Sequence, residues 1–452
     1  MDLFRTTDTA IARYDAFMER VNSVFTPFGP VASHEFFIGR LDYIERLRQE
    51  LKSQGRQAVL YGDRGVGKTS LARVMPFFLG LDDLQVVHIR CTSDTRFADL
   101  ARDIIVKTGT SHRETKRRTR KGRSVSVGKN EVAAASRTHA IETEEETIAD
   151  LRQVLNELIV GSFKEERRII VIDDYDRVTR PGVHKRVAKF LKQLSDELCN
   201  TKCLLVGVSD SVEELFRDEP SLPRCLAGIH LKRFSDDELR HIIEQASSAL
   251  AISFDDRATS AIVGMADRFA SHLHLLALHA VRACAEEFWN QTSQWPPRSR
   301  LAVMSKHIDA GVAAAIDSAE QRLRVSYEKA TATTWRKTQL FQYLIWSVAM
   351  ADSTEMHVSD IASGMTYLAD DTIAEKKISY HLGKLQEQAK GQILSKVRSG
   401  VYRFSDPLMR GFVRLQLHRY NVLRREGQLE LPFMREDRAN RATRWAPTKD
   451  RE

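Results

Sequence analysis

With 452 residues, 42% hydrophobic and 29% charged, the chain has the composition of a globular protein of about three domains, not of a disordered one. No apolar run approaches the ~20 residues that cross a bilayer, and the N-terminus lacks the basic-then-apolar pattern of a secretory signal. The five cysteines include a lone C-x-x-x-C, Cys199 and Cys203, with no second ligand pair nearby; they read as buried thiols in a reducing, cytoplasmic compartment, with no metal site.

Residues 1–35 begin with an amphipathic helical stretch (Ile11, Tyr14, Phe17, Met18, Val21) and end in the Pro27–Pro30 region. From residue 36 short apolar runs alternate with helix-period sequence. Gln57–Tyr61, Gln85–Arg90, Arg168–Ile172 and Cys203–Val208 read as strands, and Val187, Phe190, Leu191, Leu194 and Leu198 mark one of the helices between them. Short apolar strands alternating with helices predict an α/β core over 36–232, a doubly wound parallel sheet covered on both faces. Into it residues 109–146 insert a Ser-, Arg- and Glu-rich segment without apolar period, expected to be a surface loop. Between Arg113 and Arg123 seven of eleven residues are Lys or Arg (Arg113, Lys116, Arg117, Arg118, Arg120, Lys121, Arg123), and the net charge of +8 is therefore uneven. Glu142, Glu144, Glu145 and Glu146 then reverse the sign. A block this dense either holds phosphate backbones by counterion release or is a solvated loop.

After residue 232 the strands stop. Ser235 followed by Glu238 is a capping box, and Ser253–Phe269 and His272–Phe288 continue a small helical lid, 233–294. Trp295-Pro296-Pro297 breaks the chain, and a helical connector, 295–335, leads to a third unit at 336–424. There Lys337–Met350, a helix near Val358–Met365 and Asp371–Lys390 precede two strands, Ile393–Lys396 and Val401–Phe404, across the turn Arg398-Ser399-Gly400. Three helices and a hairpin are the pattern of a winged helix. Lys376, Lys377, His381 and Lys384 on its third helix, with Lys396, Arg398 and Arg403 on the hairpin, suit a major groove and its flanking phosphates. The same fold also serves as a packing or partner module. The tail, 425–452, is polar and expected to fray.

Two motifs carry chemistry. Gly62-Asp63-Arg64-Gly65-Val66-Gly67-Lys68-Thr69 satisfies G-x-x-x-x-G-K-[ST], with a strand before it and helix-forming Ser70–Met75 after it. Gly62, Gly65 and Gly67 let the backbone N–H groups turn around phosphates at a helix N-terminus, so that Arg64, Val66 and Ser70 also line the cradle. Lys68 offers charge to the β- and γ-phosphates of ATP, and Thr69 offers a hydroxyl to Mg²⁺. The second motif, Ile169-Ile170-Val171-Ile172-Asp173-Asp174, is a buried strand that delivers Asp173 to the metal and leaves Asp174 to orient or deprotonate water. Catalysis is thus expected of Lys68, Asp173 and Asp174. Asp is one methylene shorter than Glu, so slow turnover is expected.

On these motifs the chain resembles the AAA+ P-loop ATPases, in the branch that holds origin-recognition and initiator ATPases and related signalling ATPases. The resemblance runs from Phe36 to about residue 290 and extends to the winged helix. It implies that Phe37 and Ile38, in Phe37-Ile38-Gly39-Arg40, contact adenine. It places Asp210 at the first sensor, and either His272 or His274 where the family has a lid arginine. Arg224, in Leu222–Ile229, is either an arginine finger for a neighbouring subunit or a surface arginine. The implied function is an ATP-hydrolysing switch acting on or with DNA, of initiator, loader, mobile-element or phage-defence type. A signalling scaffold that oligomerises with ATP and recruits a protein partner is the other reading.

Overall fold

The computed structural model describes residues 2–31, 37, 39–81, 86–107, 167–197, 200–209, 224–292, 295, 301–332, 339–351, 353–369, 375–420 and 422. The basic insertion, Cys199, Asp210 and the polar tail lie outside these residues. The chain divides into two compact units: Val31–Asp63 with Gly67–Lys232, and Met1–Pro30 with Arg64–Val66 and Arg233–Glu452. Helix α1 (Asp2–Val24) opens the chain and groups with the second unit.

In the first unit five strands, β1 (Gln57–Tyr61), β2 (Val86–Arg90), β3 (Arg168–Asp173), β4 (Thr201–Gly207) and β5 (Leu226–His230), form one sheet. The order is β2-β3-β4-β1-β5, and every pair is parallel. Helices α2 (Leu41–Lys52), α3 (Lys68–Leu79), α4 (Phe97–Lys107) and α5 (Val183–Asp196) connect and cover it. Val59, Ile170, Ile172 and Leu205 face a cluster with Phe97, Leu100 and Ile104 of α4 and Val187, Phe190, Leu191 and Leu194 of α5. Their strand neighbours Leu60, Ile169, Val171 and Leu204, which point to the opposite face, are also fully buried. Burial on both faces is why these strands read as unbroken apolar runs instead of alternating ones. Strand β5 escaped the sequence reading: it is five residues long, interrupted by Gly228, and among the described residues pairs only with β1.

The second unit is mostly helical. Helix α6 (Asp236–Leu250) starts at the Ser235–Glu238 capping box, with both reciprocal hydrogen bonds formed. Strand β6 (Ser253–Phe254), α7 (Asp256–Ala266) and α8 (Ala270–Thr292) follow, and β7 (Ala302–Val303) pairs with β6 in parallel. Tyr14 and Phe17 of α1 pack on Trp295, and Tyr14 also on Trp289, which explains the apolar period of the N-terminal helix. Helices α9 (Ser305–Ser318) and α10 (Gln321–Thr331) form the connector.

The C-terminal block contains α11 (Leu340–Met350), β8 (Met356–His357), α12 (Val358–Ala369), α13 (Glu375–Lys384), β9 (Leu394–Arg398), β10 (Val401–Phe404) and α14 (Met409–Arg419). The three strands form an antiparallel sheet in the order β8-β10-β9. Helix α13 is shorter than the 371–390 expected from periodicity. It ends at Lys384, and Gln388–Lys390 form a separate 3₁₀ turn closed by Gly391 at φ 73°. Helix α14 anchors the block. Arg410 donates from Nε and Nη2 to the buried Asp267 carboxylate at 2.5–2.9 Å, and Arg414 lies 3.4 Å from it. Arg414 also donates to the Ala349, Ala351 and Gly264 carbonyls. A side chain at Gly411 would collide with the His272 ring, so only glycine permits this crossing.

Candidate functional site

The candidate site sits at the C-terminal ends of β1 and β3, where an open parallel sheet binds its ligands. After β1 the backbone takes positive φ at Gly62 (140°), Gly65 (82°) and Gly67 (92°). A Cβ at Gly62 would strike the Leu231 carbonyl, so that position admits no other residue. Gly67 is the N-cap of α3 and provides no side-chain cap, which leaves the first N–H groups of that helix available to an anion. Lys68 is buried, and its Nζ donates to the carbonyls of Gly62 at 2.9 Å and Asp63 at 2.7 Å. Burial pushes its pKa down to about 8, against the opposing pull of Asp176, Asp63, Asp173 and Asp174. The site thus holds an ammonium group short of negative charge, which a phosphate can supply.

Asp173 ends β3 and is 7% exposed. Its Oδ1 accepts from Thr69 Oγ1 at 3.2 Å and from the Asp174 N–H at 2.9 Å. These two oxygen donors, brought together across 104 residues of sequence, are the ligand types that a hard divalent cation takes. Asp174 has left-handed backbone angles (φ 55°, ψ 34°). Its Oδ2 accepts from Arg90 Nε at 2.7 Å and lies 3.6 Å from Arg177. In register Arg90 is the β2 partner of Asp173, so strand pairing itself sets a cation beside both carboxylates. Sequence reasoning missed Arg90 and Asp176. Asp176 accepts from the Val208 N–H at 2.8 Å, tying the end of β4 to the turn after β3, and it is the strongest carboxylate influence on Lys68. The only sequence signal for either was position, one at the end of an edge strand and the other two residues beyond an Asp-Asp pair.

The remaining expected residues fall in different places. Phe37 is half-buried, and Ile38 lies outside the described residues. Arg40, beside them, is buried and donates to the Lys232 carbonyl at 2.6 Å, pinning the entry segment to the exit of β5. Ser70 Oγ accepts from the Val31 N–H at 3.1 Å, so this hydroxyl is spent on the entry segment. Arg64, Gly65 and Val66 group with the second unit, where Arg64 lies 3.4 Å from Glu320 and Val66 is fully buried. Arg224 is exposed just before β5. His272 and His274 are both buried in α8. Burial pushes His274 down to about 4, and its neutral Nδ1 accepts from the Thr26 N–H. Burial also lowers the pKa of His272, against the nearby Asp267. Cys203 is fully buried. Among the described residues there is no cluster able to hold a metal through His, Cys, Asp and Glu alone, and no helix long and apolar enough to cross a membrane.

Solved structures with this fold include the Walker-type ATPase PABY2304 of Pyrococcus abyssi, 16% identical over 86% of this chain and 99% of its own, with a TM-score of 0.50. The ORC2 protein of Aeropyrum pernix, solved in ADPNP–ADP complexes, is 13% identical over 88% and 98%, with a TM-score of 0.47. Cdc6p of Pyrobaculum aerophilum is 14% identical over 87% and 97%, with a TM-score of 0.43. No curated protein matches the chain. A family model described as novel STAND NTPase 1 matches residues 25–366, most of the described sheet, lid and connector. With its P-loop and its Asp-terminated third strand in a five-stranded parallel sheet, the chain belongs to the novel STAND NTPase 1 family, nSTAND1.

Proposed function

We propose that the protein is an ATP-hydrolysing switch that acts on DNA. One observation supports this above the others: Lys68, Thr69 and Asp173 converge at the mouth of a glycine cradle, with Thr69 Oγ1 and Asp173 Oδ1 3.2 Å apart. In this reading the N–H groups of Gly65–Ser70 and the Lys68 ammonium bind the phosphates of ATP, and Phe37 and Ile38 contact its base. Thr69 and Asp173 hold Mg²⁺, which neutralises phosphate charge when bound. Asp174 orients the attacking water.

The DNA part rests on the C-terminal block, which we read as a winged helix. Arg410 of α14 ties it to Asp267, and Lys390, in the turn after α13, ties it to the Ala332 carbonyl. Lys377 and Tyr380 of α13, and Lys396, Arg398 and Arg403 of the hairpin, are all exposed, as a groove-reading surface requires. The exposure of Arg224 supports instead a scaffold that oligomerises with ATP, with this arginine as the finger for a neighbouring subunit. The deciding measurement is the ATPase rate with and without duplex DNA across a salt series. Stimulation that fades with salt supports the DNA switch. ATP-dependent assembly with no DNA affinity replaces it with the scaffold.

A further inference from the structure

From Arg177 to Lys192 the sequence holds six Lys or Arg (Arg177, Arg180, Lys185, Arg186, Lys189, Lys192), and no Asp or Glu follows until Asp196. Helix α5 sorts this stretch cleanly. Val183, Val187, Phe190, Leu191 and Leu194 are buried in the sheet cluster, while Lys185, Lys189 and Lys192 are exposed. Their i, i+4, i+7 spacing puts the three ammonium groups on one stripe about 10 Å long. None of the three has an ion-pair partner among the described residues. The chain enters this helix from the candidate site, because Arg177, in the turn between β3 and α5, lies 3.6 Å from Asp174.

We infer that this face of α5 is a second DNA-contacting surface, which takes the phosphate backbone of a duplex. The inference rests on the DNA reading above but uses residues that play no part in it. Charge complementarity selects the occupant: a row of cations, unpaired among the described residues, matches a line of phosphates, which carry one charge per ~1.7 Å of duplex axis. A protein partner would call for an apolar or aromatic centre, and the exposed positions of α5 (Lys185, Lys189, Lys192, Gln193, Asp196) offer none. An interfacial membrane helix would need its apolar side free, and here that side is committed to the core. A backbone contact is blind to sequence, so α5 supplies affinity and places the duplex beside the turn that carries Asp174.

The test is anisotropy of a labelled random-sequence duplex titrated with the full-length protein across salt concentrations. Three proteins are compared with wild type: Lys185→Gln/Lys189→Gln/Lys192→Gln, the matching triple Arg variant, and Lys377→Gln/Arg398→Gln. The triple Gln variant is expected to lower the slope of log affinity against log salt by about 2 to 3 units. The triple Arg variant is expected to restore it, and ATP affinity should stay at the wild-type value in both. If wild type binds duplex, the C-terminal variant weakens it and the triple Gln variant leaves the slope unchanged, the α5 surface is overturned while the DNA reading stands. No duplex binding by wild type overturns both. Binding to phosphatidylserine vesicles, lost in the triple Gln variant and without duplex affinity, replaces DNA with a membrane surface.

Discussion

Arg90 Nε donates to Asp174 Oδ2 at 2.7 Å, so the carboxylate proposed to orient the attacking water is already engaged by a cation. The Arg90 side chain is 77% exposed and that of Asp174 27%. Solvent screens such a pair, and exposed pairs contribute about 0–1 kcal/mol. Removing Arg90 should therefore cheaply release one of the two cations beside Asp174, Arg177 remaining 3.6 Å away. Arg90→Ala is expected to change kcat by no more than about fivefold, upward, with KM for ATP unchanged. Steady-state kinetics check this, and a fall of about a hundredfold would mean that Arg90 itself binds phosphate.

Asp174→Asn separates nucleotide binding from chemistry. Asp173 and Thr69 keep their hydrogen bond in this variant, so ATP affinity should stay within a few-fold of wild type. Loss of the water-orienting carboxylate should lower kcat by about a hundredfold or more. Equilibrium binding of a fluorescent ATP analogue and single-turnover hydrolysis measure the two halves. If Asp174→Asn loses affinity as severely as Asp173→Asn, the roles of the two carboxylates are reversed.

Much of this site was legible in the sequence because its parts are contiguous. Gly62–Thr69 and Ile169–Asp174 are local strings, and β3 had the apolar run of a doubly covered strand. What the sequence hid is non-local. Arg90 meets Asp174 only because β2 and β3 pair in parallel register. Asp176 matters through the end of β4. Asp267, an ordinary helix C-cap in sequence, becomes a buried anchor because α14 arrives from 143 residues away. The resemblance puts His272 or His274 at the lid-arginine position, but helix periodicity gave no sign that both would be buried. For β5 the failure was local: a strand of five residues containing Gly228 has too little apolar pattern to register.

Lys68 gives nucleotide binding a pH dependence. In the free protein burial holds its pKa at about 8, and a phosphate beside the ammonium must raise that value. The protonated form is thus the one that binds. Affinity is expected to be flat below pH 8 and to fall above it, by at most tenfold per unit until the bound-state pKa is passed. Calorimetry in buffers of different ionisation enthalpy should record proton uptake on ATP binding above pH 8. Affinity that rises through this range would exclude Lys68 as the phosphate ligand.

The Asp267 anchor should be costly to break. Its carboxylate is 1% exposed and faces Arg410, Arg414 and Arg233. Burial alone would raise its pKa, but the arginines outweigh it and hold the value below the usual carboxylate range. The stabilisation is therefore present above the unfolded-state pKa and is lost only as pH falls through the lowered value. Asp267→Ala leaves buried guanidinium groups unpaired and should destabilise the second unit by about 3–5 kcal/mol. Asp267→Leu with Arg410→Met should recover part of that loss in urea unfolding. An Asp267→Ala midpoint equal to wild type would remove the anchor from the account.

Salt dependence and sequence preference should separate surfaces that hold a DNA duplex from one that reads it. Seven basic residues between Arg113 and Arg123 form a dense block of charge, expected to neutralise phosphates. Replacing Lys116, Arg117, Arg118, Arg120 and Lys121 with Ala should flatten the salt dependence by up to about 0.9 for each phosphate no longer neutralised, equally for every duplex. Lys377 and Tyr380 stand exposed on α13, at the face that would enter a major groove. Removing a hydrogen bond to a base edge there should cost about 1–3 kcal/mol on a preferred site and little on a random one. Selection of bound duplexes from a random pool by wild type, by the insertion variant and by Lys377→Ala/Tyr380→Ala tells the two apart. The insertion variant should recover the same sequences more weakly, and the α13 variant should recover a flatter distribution. If the α13 variant returns the wild-type preference, the C-terminal block does not read DNA and its exposed face belongs to a protein partner.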